Sequence, residues 1–186
     1  MIFRISNKYK NLVNQKNVLT LLIGLCILQG EQHAMAQGND DTPPDSFLEL
    51  QELIPSIHLE LRYFSEDNFV GQILDGYHAN KVFMTREAST ALSNVQDELA
   101  AFGMGLKVFD AYRPQRAVDH FVRWAQDLGD TKMKAVFYPS VAKQDLFSSG
   151  YIAQRSGHSR GSTIDLTIVD LQSGAELEMG TLWDFF

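Results

Sequence analysis

Two side chains in the last quarter of the sequence have types and spacing that could do chemistry. They are His158 and Asp165, in the stretch Ser156-Gly157-His158-Ser159-Arg160-Gly161-Ser162-Thr163-Ile164-Asp165-Leu166-Thr167-Ile168-Val169-Asp170. Asp165 stands among Ile164, Leu166, Ile168 and Val169, an apolar, β-branched run that reads as a strand. An ionised carboxylate withdrawn from water is costly unless a cation or several donors meet it. His158 precedes it on a loop with glycines at 157 and 161 and can fold back toward the strand; an imidazole with a carboxylate is a donor set suited to zinc. A catalytic zinc takes three protein ligands and keeps one position for water, so the pair is not a complete site. Spacing alone also fits a loop histidine beside an ion-paired aspartate, which is the commoner arrangement.

The elements that would hold such a site follow from hydrophobic periodicity. Ile57 to Tyr63 alternates apolar and polar residues, the pattern of a half-buried strand, with His58 on its solvated face. Tyr63 ends that strand beside the loop Asp67 to Gly71. A helix starts at Thr85 as N-cap, with Glu87 in its first turn, and Ala88, Leu92, Val95, Leu99 and Phe102 form its buried stripe. Gly103 and Gly105 stop it. Leu106 to Tyr112 reads as the next strand, and Arg113-Pro114 leads into a helix of about Gln115 to Leu128, with proline at the first helical position. Arg113 is thereby fixed at a strand-to-helix corner, facing either a cleft or a surface carboxylate. Ala117, Val118, Phe121, Val122, Ala125 and Leu128 make the second helix's buried stripe, and His120 at its border is a packed or surface histidine. Residues 130–150 read as a loop with a short helix whose lysines are solvated.

Length and composition limit the setting. The 186 residues suffice for one domain with a real core, and 45% apolar with 21% charged residues is ordinary for a globular protein. Residues 1–36 read as a signal peptide: Arg4, Lys8, Lys10 and Lys16 precede the apolar run Val18 to Leu28, and Ala34-Met35-Ala36 offers a cleavage site. That run is too short to span a membrane as a mature helix, so no stable anchor is expected after cleavage. Residues 37–46, with Pro43 and Pro44, read as a linker, and residues 47–186 as the domain. Removing the signal takes away four of 16 basic and one of 23 acidic residues, which leaves a net charge of -10. An acidic chain is a poor partner for nucleic acid. Cleavage also removes Cys26, the only cysteine, so any metal must rest on histidine and carboxylates.

The stretch from Ser156 to Asp165 resembles the Ser-x-His-x-x-Gly-x-x-x-Asp zinc signature of the D-alanyl-D-alanine dipeptidases. Further motifs match in order: Arg62-Tyr63, Asp67-Asn68-Phe69-x-Gly71, Asp75-Gly76-Tyr77, Asp110-Ala111-Tyr112-Arg113-Pro114, Met179-Gly180-Thr181 and Asp184-Phe185. The likeness runs from about residue 47 to the end. It implies a single α+β domain, a small antiparallel sheet packed against helices, and one zinc ion per chain held by His158 and Asp165. It further implies Arg113 as transition-state stabiliser and Tyr63, Ser156 and Asp184 as substrate-binding residues. The substrate implied is a small D,D-dipeptide of cell-wall precursor metabolism, and the signal peptide at residues 1–36 would have the chain meet it in the periplasm. Nothing in the sequence fixes the oligomeric state.

Two departures from the family pattern stand out. Gly157 replaces a serine found in some relatives, and no glutamate stands three residues before any histidine, the positions being Gly30, Pro55, Asp75, Ala117 and Arg155. The family's Glu-x-x-His, with the general base and the third ligand, is therefore absent. The expectation is a chain cut short before that motif, inactive or severely impaired, with an unpaired sheet edge beside the Ile164 strand. Alternatives are a catalytically inert module that binds a peptide, or a related D,D-carboxypeptidase.

Overall fold

A computed structural model describes residues 46–186; the signal peptide and nearly all of the linker read from the sequence lie outside the described residues. Among the described residues five strands and four helices follow one another: β1 (Phe47–Glu49), α1 (Leu50–Leu53), β2 (His58–Leu59), β3 (Phe83–Thr85), α2 (Arg86–Ala100), β4 (Met104–Asp110), α3 (Gln115–Gln126), α4 (Lys134–Phe137) and β5 (Asp165–Asp170). Short 3-10 turns cover Arg62–Phe64, Lys143–Asp145 and Gly157–Arg160. β1 and β3 form an antiparallel pair, while β4 is the centre of a three-stranded sheet with β5 antiparallel on one side and β2 parallel on the other. The α+β expectation holds, and the long pairing is antiparallel as expected; only the two-residue β2 joins in parallel. Among the described residues no helix is long and apolar enough to cross a membrane.

The chain builds two cores. In the first, α2 lays Ala88, Leu92, Val95 and Leu99 on Leu106, Val108 and Ile168 of the sheet. Burying each leucine-sized side chain contributes about 1.5–3 kcal/mol. Thr85 caps α2 as read from the sequence, its side chain accepting from the Ala88 N–H. Phe102, expected on the buried stripe, lies past the last turn and is exposed. Gly103 has φ +72 and turns the chain, whereas Gly105 lies within β4, where an added Cβ would come within 2.8 Å of Leu171.

The second core is aromatic: Tyr63, Phe69, Phe121, Trp124, Phe137, Tyr138 and Leu146. α3 ends at Gln126, two residues early, and buries Trp124, while Leu128 is 55% exposed. Pro114 caps this helix from outside rather than occupying its first position. The expected strand at 57–63 is only β2. Beyond it the chain coils around the buried Asn68, whose amide donates to the carbonyls of Arg62, Ser65 and Gln72 and whose Oδ1 accepts from the N–H groups of Val70 and Gly71. Tyr63 therefore sits in a 3-10 turn and is fully buried, not at a strand end.

The segment 130–150 carries the expected short helix and also a 3-10 turn, but its lysines are not all solvated. Lys143 is buried 3.8 Å above the Trp124 ring and donates to the Asp130 carbonyl; burial lowers its pKa. Beside β5 the chain returns, with Leu177 N–H donating to the Ile168 carbonyl and Asp170 N–H to that of Ala175, so this edge is partly covered rather than bare.

Candidate functional site

The site lies where β4 and β5 end together. Their register pairs Asp110 with Asp165, across an irregularity between Val108 and Asp110. Like charges directly opposite on two strands repel, so the pairing requires cations between or beside them. Arg113 and His158 fill that role. The Arg113 Nε and Nη2 donate to Asp110 Oδ2 at 3.0 and 2.8 Å, and Nη2 lies 3.8 Å from Asp165 Oδ2. His158 Nε2 lies 3.5 Å from Asp165 Oδ1, and Nδ1 lies 3.3 Å from Asp110 Oδ2 and 2.9 Å from the Ala111 carbonyl.

Local structure brings His158 to this position. Ser156 caps the 3-10 turn, its Oγ accepting from the His158 N–H. Gly161 closes the turn at φ +75, where an added Cβ would stand 2.1 Å from the Phe47 ring. The loop is tied down from three sides: the Thr85 N–H donates to the Gly161 carbonyl, the Ser159 hydroxyl to the Arg113 carbonyl, and the Arg113 N–H to the His158 carbonyl. Gly157 leaves little room for a side chain, since a Cβ would meet Thr163 Oγ1 at 3.2 Å.

Arg113 leaves the strand-to-helix corner and spreads over the rings of Tyr63 and Phe121, with its guanidinium carbon 4.9 and 5.1 Å from their centroids. Tyr63 Oη in turn donates to Asp184 Oδ2 at 2.6 Å. Asp184 adopts φ +54, alone among the described non-glycine residues in having positive φ. Tyr63, Arg113, His158, Asp165 and Asp184 thus form one connected cluster, with Ser156 at its margin as a cap. His120 is elsewhere: its Nδ1 accepts from the Asp75 N–H, and His58 is exposed on β2.

Burial and charge shift the titrations in this cluster. Burial lowers the pKa of His158, but hydrogen bonds with Asp110 and Asp165 outweigh it and push the imidazole up to about 9. Burial lifts the Asp184 carboxyl to about 7, against the hydrogen bond from Tyr63 that lowers it. Burial opposes the charge on Arg113, yet Tyr63 and Asp110 hold the guanidinium more firmly protonated than usual. Burial, then the neighbouring carboxylates, raise Tyr63 and Tyr77 well above the ordinary tyrosine range, so both hydroxyls stay protonated donors.

The donor set fits zinc. Asp110, His158 and Asp165 offer ligand-type atoms all within 4.8 Å of one another. A third ligand-type group, Asp110, which the sequence reading does not name as a ligand, therefore stands beside His158 and Asp165, and that group of described residues contains no glutamate. The Ala111 carbonyl can only accept, so Nδ1 of a neutral His158 carries the hydrogen and Nε2 presents its lone pair toward Asp165. Asp110 and Tyr77, whose Oη donates to Asp110 Oδ1 at 2.6 Å, received no role from the sequence. The signal was present: Asp110 ends an apolar run, the same feature that singled out Asp165.

Residues 44–186 match the family described as D-ala-D-ala dipeptidase. The chain is 41% identical to the D-alanyl-D-alanine dipeptidase of Enterococcus faecalis (strain ATCC 700802 / V583) over 141 residues, covering 76% of this chain and 70% of that protein. It is 43% identical to the D-alanyl-D-alanine dipeptidase of Streptomyces coelicolor over 134 residues, covering 72% of this chain and 66% of the relative. A D-alanyl-D-alanine dipeptidase of Escherichia coli (strain K12) is 28% identical, with 60% of its length covered. The chain thus spans about two-thirds of the length of these relatives.

Proposed function

The chain belongs to the D-ala-D-ala dipeptidase family of metallopeptidases, and from that premise we propose that it hydrolyses the D-alanyl-D-alanine dipeptide, with a zinc ion held by His158 Nε2 and Asp165. The observation that carries this reading is the convergence of His158 Nε2 and Asp165 Oδ1 at 3.5 Å, with the Arg113 guanidinium beside them. Bound zinc supplies Lewis-acid polarisation of the scissile carbonyl and a water of lowered pKa. The reaction adds water across the amide: oxygen joins the carbonyl carbon, the C–N bond breaks, and the amine leaves with a proton as D-alanine.

The chain's own residues bind and orient. Arg113 is held by Asp110 and by two aromatic faces, so it needs no reorganisation when charge develops on the carbonyl oxygen, which is where a fixed cation contributes most. Asp184, braced by Tyr63, receives the substrate ammonium. Ser156 acts from the loop, where its hydroxyl fixes the His158 backbone, and the family pattern makes it a substrate contact. Tyr138 and Lys143 belong to the segment that packs over the aromatic core, which suits a small closed substrate site better than an open groove.

The test is release of D-alanine from D-alanyl-D-alanine by the zinc-loaded protein, together with zinc content after dialysis. Activity should vanish with a chelator, return with zinc, and be lost along with the metal in His158→Ala and Asp165→Ala. A wild-type protein that retains zinc yet releases no D-alanine would overturn the hydrolytic reading. Export to the periplasm is proposed from residues 1–36 alone; N-terminal sequencing of the secreted fraction should find Gln37 first.

A further inference from the structure

We infer that Asp110 is a positioning residue for both Arg113 and His158 rather than a metal ligand, and that Tyr77 is the strut that fixes it. The inference rests on the zinc reading only in placing the ion at His158 Nε2. The two ring nitrogens face opposite ways. Nδ1 bears a hydrogen because it meets the Ala111 carbonyl at 2.9 Å, and a protonated nitrogen has no lone pair for a metal. Asp110 stands on that side of the ring, 3.3 Å from Nδ1, whereas Asp165 stands on the Nε2 side. An ion bound by Nε2 and Asp165 therefore has Asp110 behind the imidazole.

The Asp110 oxygens are already engaged. Oδ2 accepts from Arg113 Nε and Nη2 and faces His158 Nδ1, and Oδ1 accepts from Tyr77 at 2.6 Å. The residue is 1% exposed, so no water shares in this arrangement from bulk solvent. One carboxylate thus sets the ring plane of the imidazole and the direction of the guanidinium. Tyr77 also meets the Arg113 guanidinium, but toward the imidazole it acts through Asp110 Oδ1, since without its donor the carboxylate is held only on its Oδ2 side. Carboxylate partners behind a ligating histidine fix its tautomer and raise its basicity, and their loss typically weakens metal binding about 10–100-fold.

The test is a double-substitution cycle read without substrate. Zinc affinity is measured by competition with a chromophoric chelator for wild type, Asp110→Asn, Tyr77→Phe and the double variant, and the His158 ring nitrogens are followed by 15N NMR in the zinc-loaded protein. Asp110→Asn should weaken zinc about 10–100-fold. Tyr77→Phe should weaken it less, and the double variant should match Asp110→Asn within about twofold, because Tyr77 reaches the zinc-binding imidazole through Asp110. The wild-type spectrum should show a protonated Nδ1 and a metal-bound Nε2. Metal on Nδ1, an Asp110→Asn affinity within about twofold of wild type, or losses that simply add would each overturn the inference. If Asp110→Asn does not fold, Tyr77→Phe and the ring spectrum still decide. A protein with the expected zinc behaviour that cleaves no dipeptide refutes the hydrolytic reading and leaves this one standing.

Discussion

Arg113 has one charge, two carboxylate neighbours and two aromatic faces, and its contribution should appear in kcat rather than in KM. Arg113→Ala removes a cation that matters most when the carbonyl oxygen becomes anionic, so kcat should fall about 10²–10³-fold with KM changed much less. Steady-state kinetics on the dipeptide checks it; a rise in KM at constant kcat would place Arg113 in ground-state binding instead. Tyr63→Phe should do the opposite. Its hydroxyl lowers the Asp184 pKa toward the value of about 7, so its loss raises that pKa and leaves less carboxylate near neutrality to meet an ammonium. KM should rise by up to roughly tenfold at neutral pH, equivalent to about one pKa unit, and the defect should shrink at alkaline pH. A defect independent of pH would sink the pairing. These residues were legible in the sequence through motif order, Asp165 also through the cost of a carboxylate in an apolar run. Asp110 satisfies the same criterion but entered only as part of the motif that ends in Arg113 and Pro114, and was given no role of its own. That it also faces His158, 48 positions on in the chain, depends on strand register and has no local trace.

The element that sets the site's geometry is the loop between the 3-10 turn at Gly157–Arg160 and β5. Gly161 holds it with φ +75 against the Phe47 ring, and both the dihedral and the contact exclude a Cβ. Gly161→Ala should destabilise the protein by about 1–3 kcal/mol from the left-handed backbone alone. Because the loop carries His158, zinc affinity should fall as well. Urea denaturation and chelator competition measure the two effects; an unchanged urea midpoint would show that the loop yields freely. The glycines at 157 and 161 could be seen as a flexible loop in the sequence, but their partners could not, since Phe47 and Thr163 reach them only through the fold. The cap of α2 and its stripe from Ala88 to Leu99 were read correctly because they are local features, whereas Phe102 lies past the last turn and Gly105 belongs to β4. β2 was read too long because the chain enters a 3-10 turn at Arg62–Phe64 and Asn68 recruits the Arg62 carbonyl, which alternation would assign to the strand. Lys143 was misread for a related reason: a lysine in a polar segment looks solvated until an indole face from α3 is placed under it.

At the scale of the molecule, two cores and a mixed sheet meet at a cluster in which carboxylates outnumber cations, and this couples stability to pH. The α+β class was legible because strands and helices alternate with clear periods; the meeting of β4 with β5 was not, because 54 residues separate Asp110 from the Asp165 that pairs with it. In the metal-free protein both strongly perturbed acids are shifted upward. Asp184 at about 7 lies above the ordinary carboxylate value, so its contribution is fully present below that ordinary value and is lost as pH rises through 7. His158 at about 9 lies above the ordinary imidazole value of 6.5, so its contribution is fully present below 6.5 and is lost as pH rises through 9. The two act in the same direction, and the chelated protein should lose stability between pH 5.5 and 9, by an amount of order a few kcal/mol. Zinc reverses the histidine's share, because binding requires the neutral ring and competes with the proton. Urea midpoints measured at pH 5.5, 7.5 and 9 should therefore fall with pH in chelator, while the increment from added zinc should grow with pH. A chelated protein that becomes more stable across that interval would mean that Asp110 and Asp165 do not hold the proton on His158, and the geometry drawn for the site would have to be abandoned.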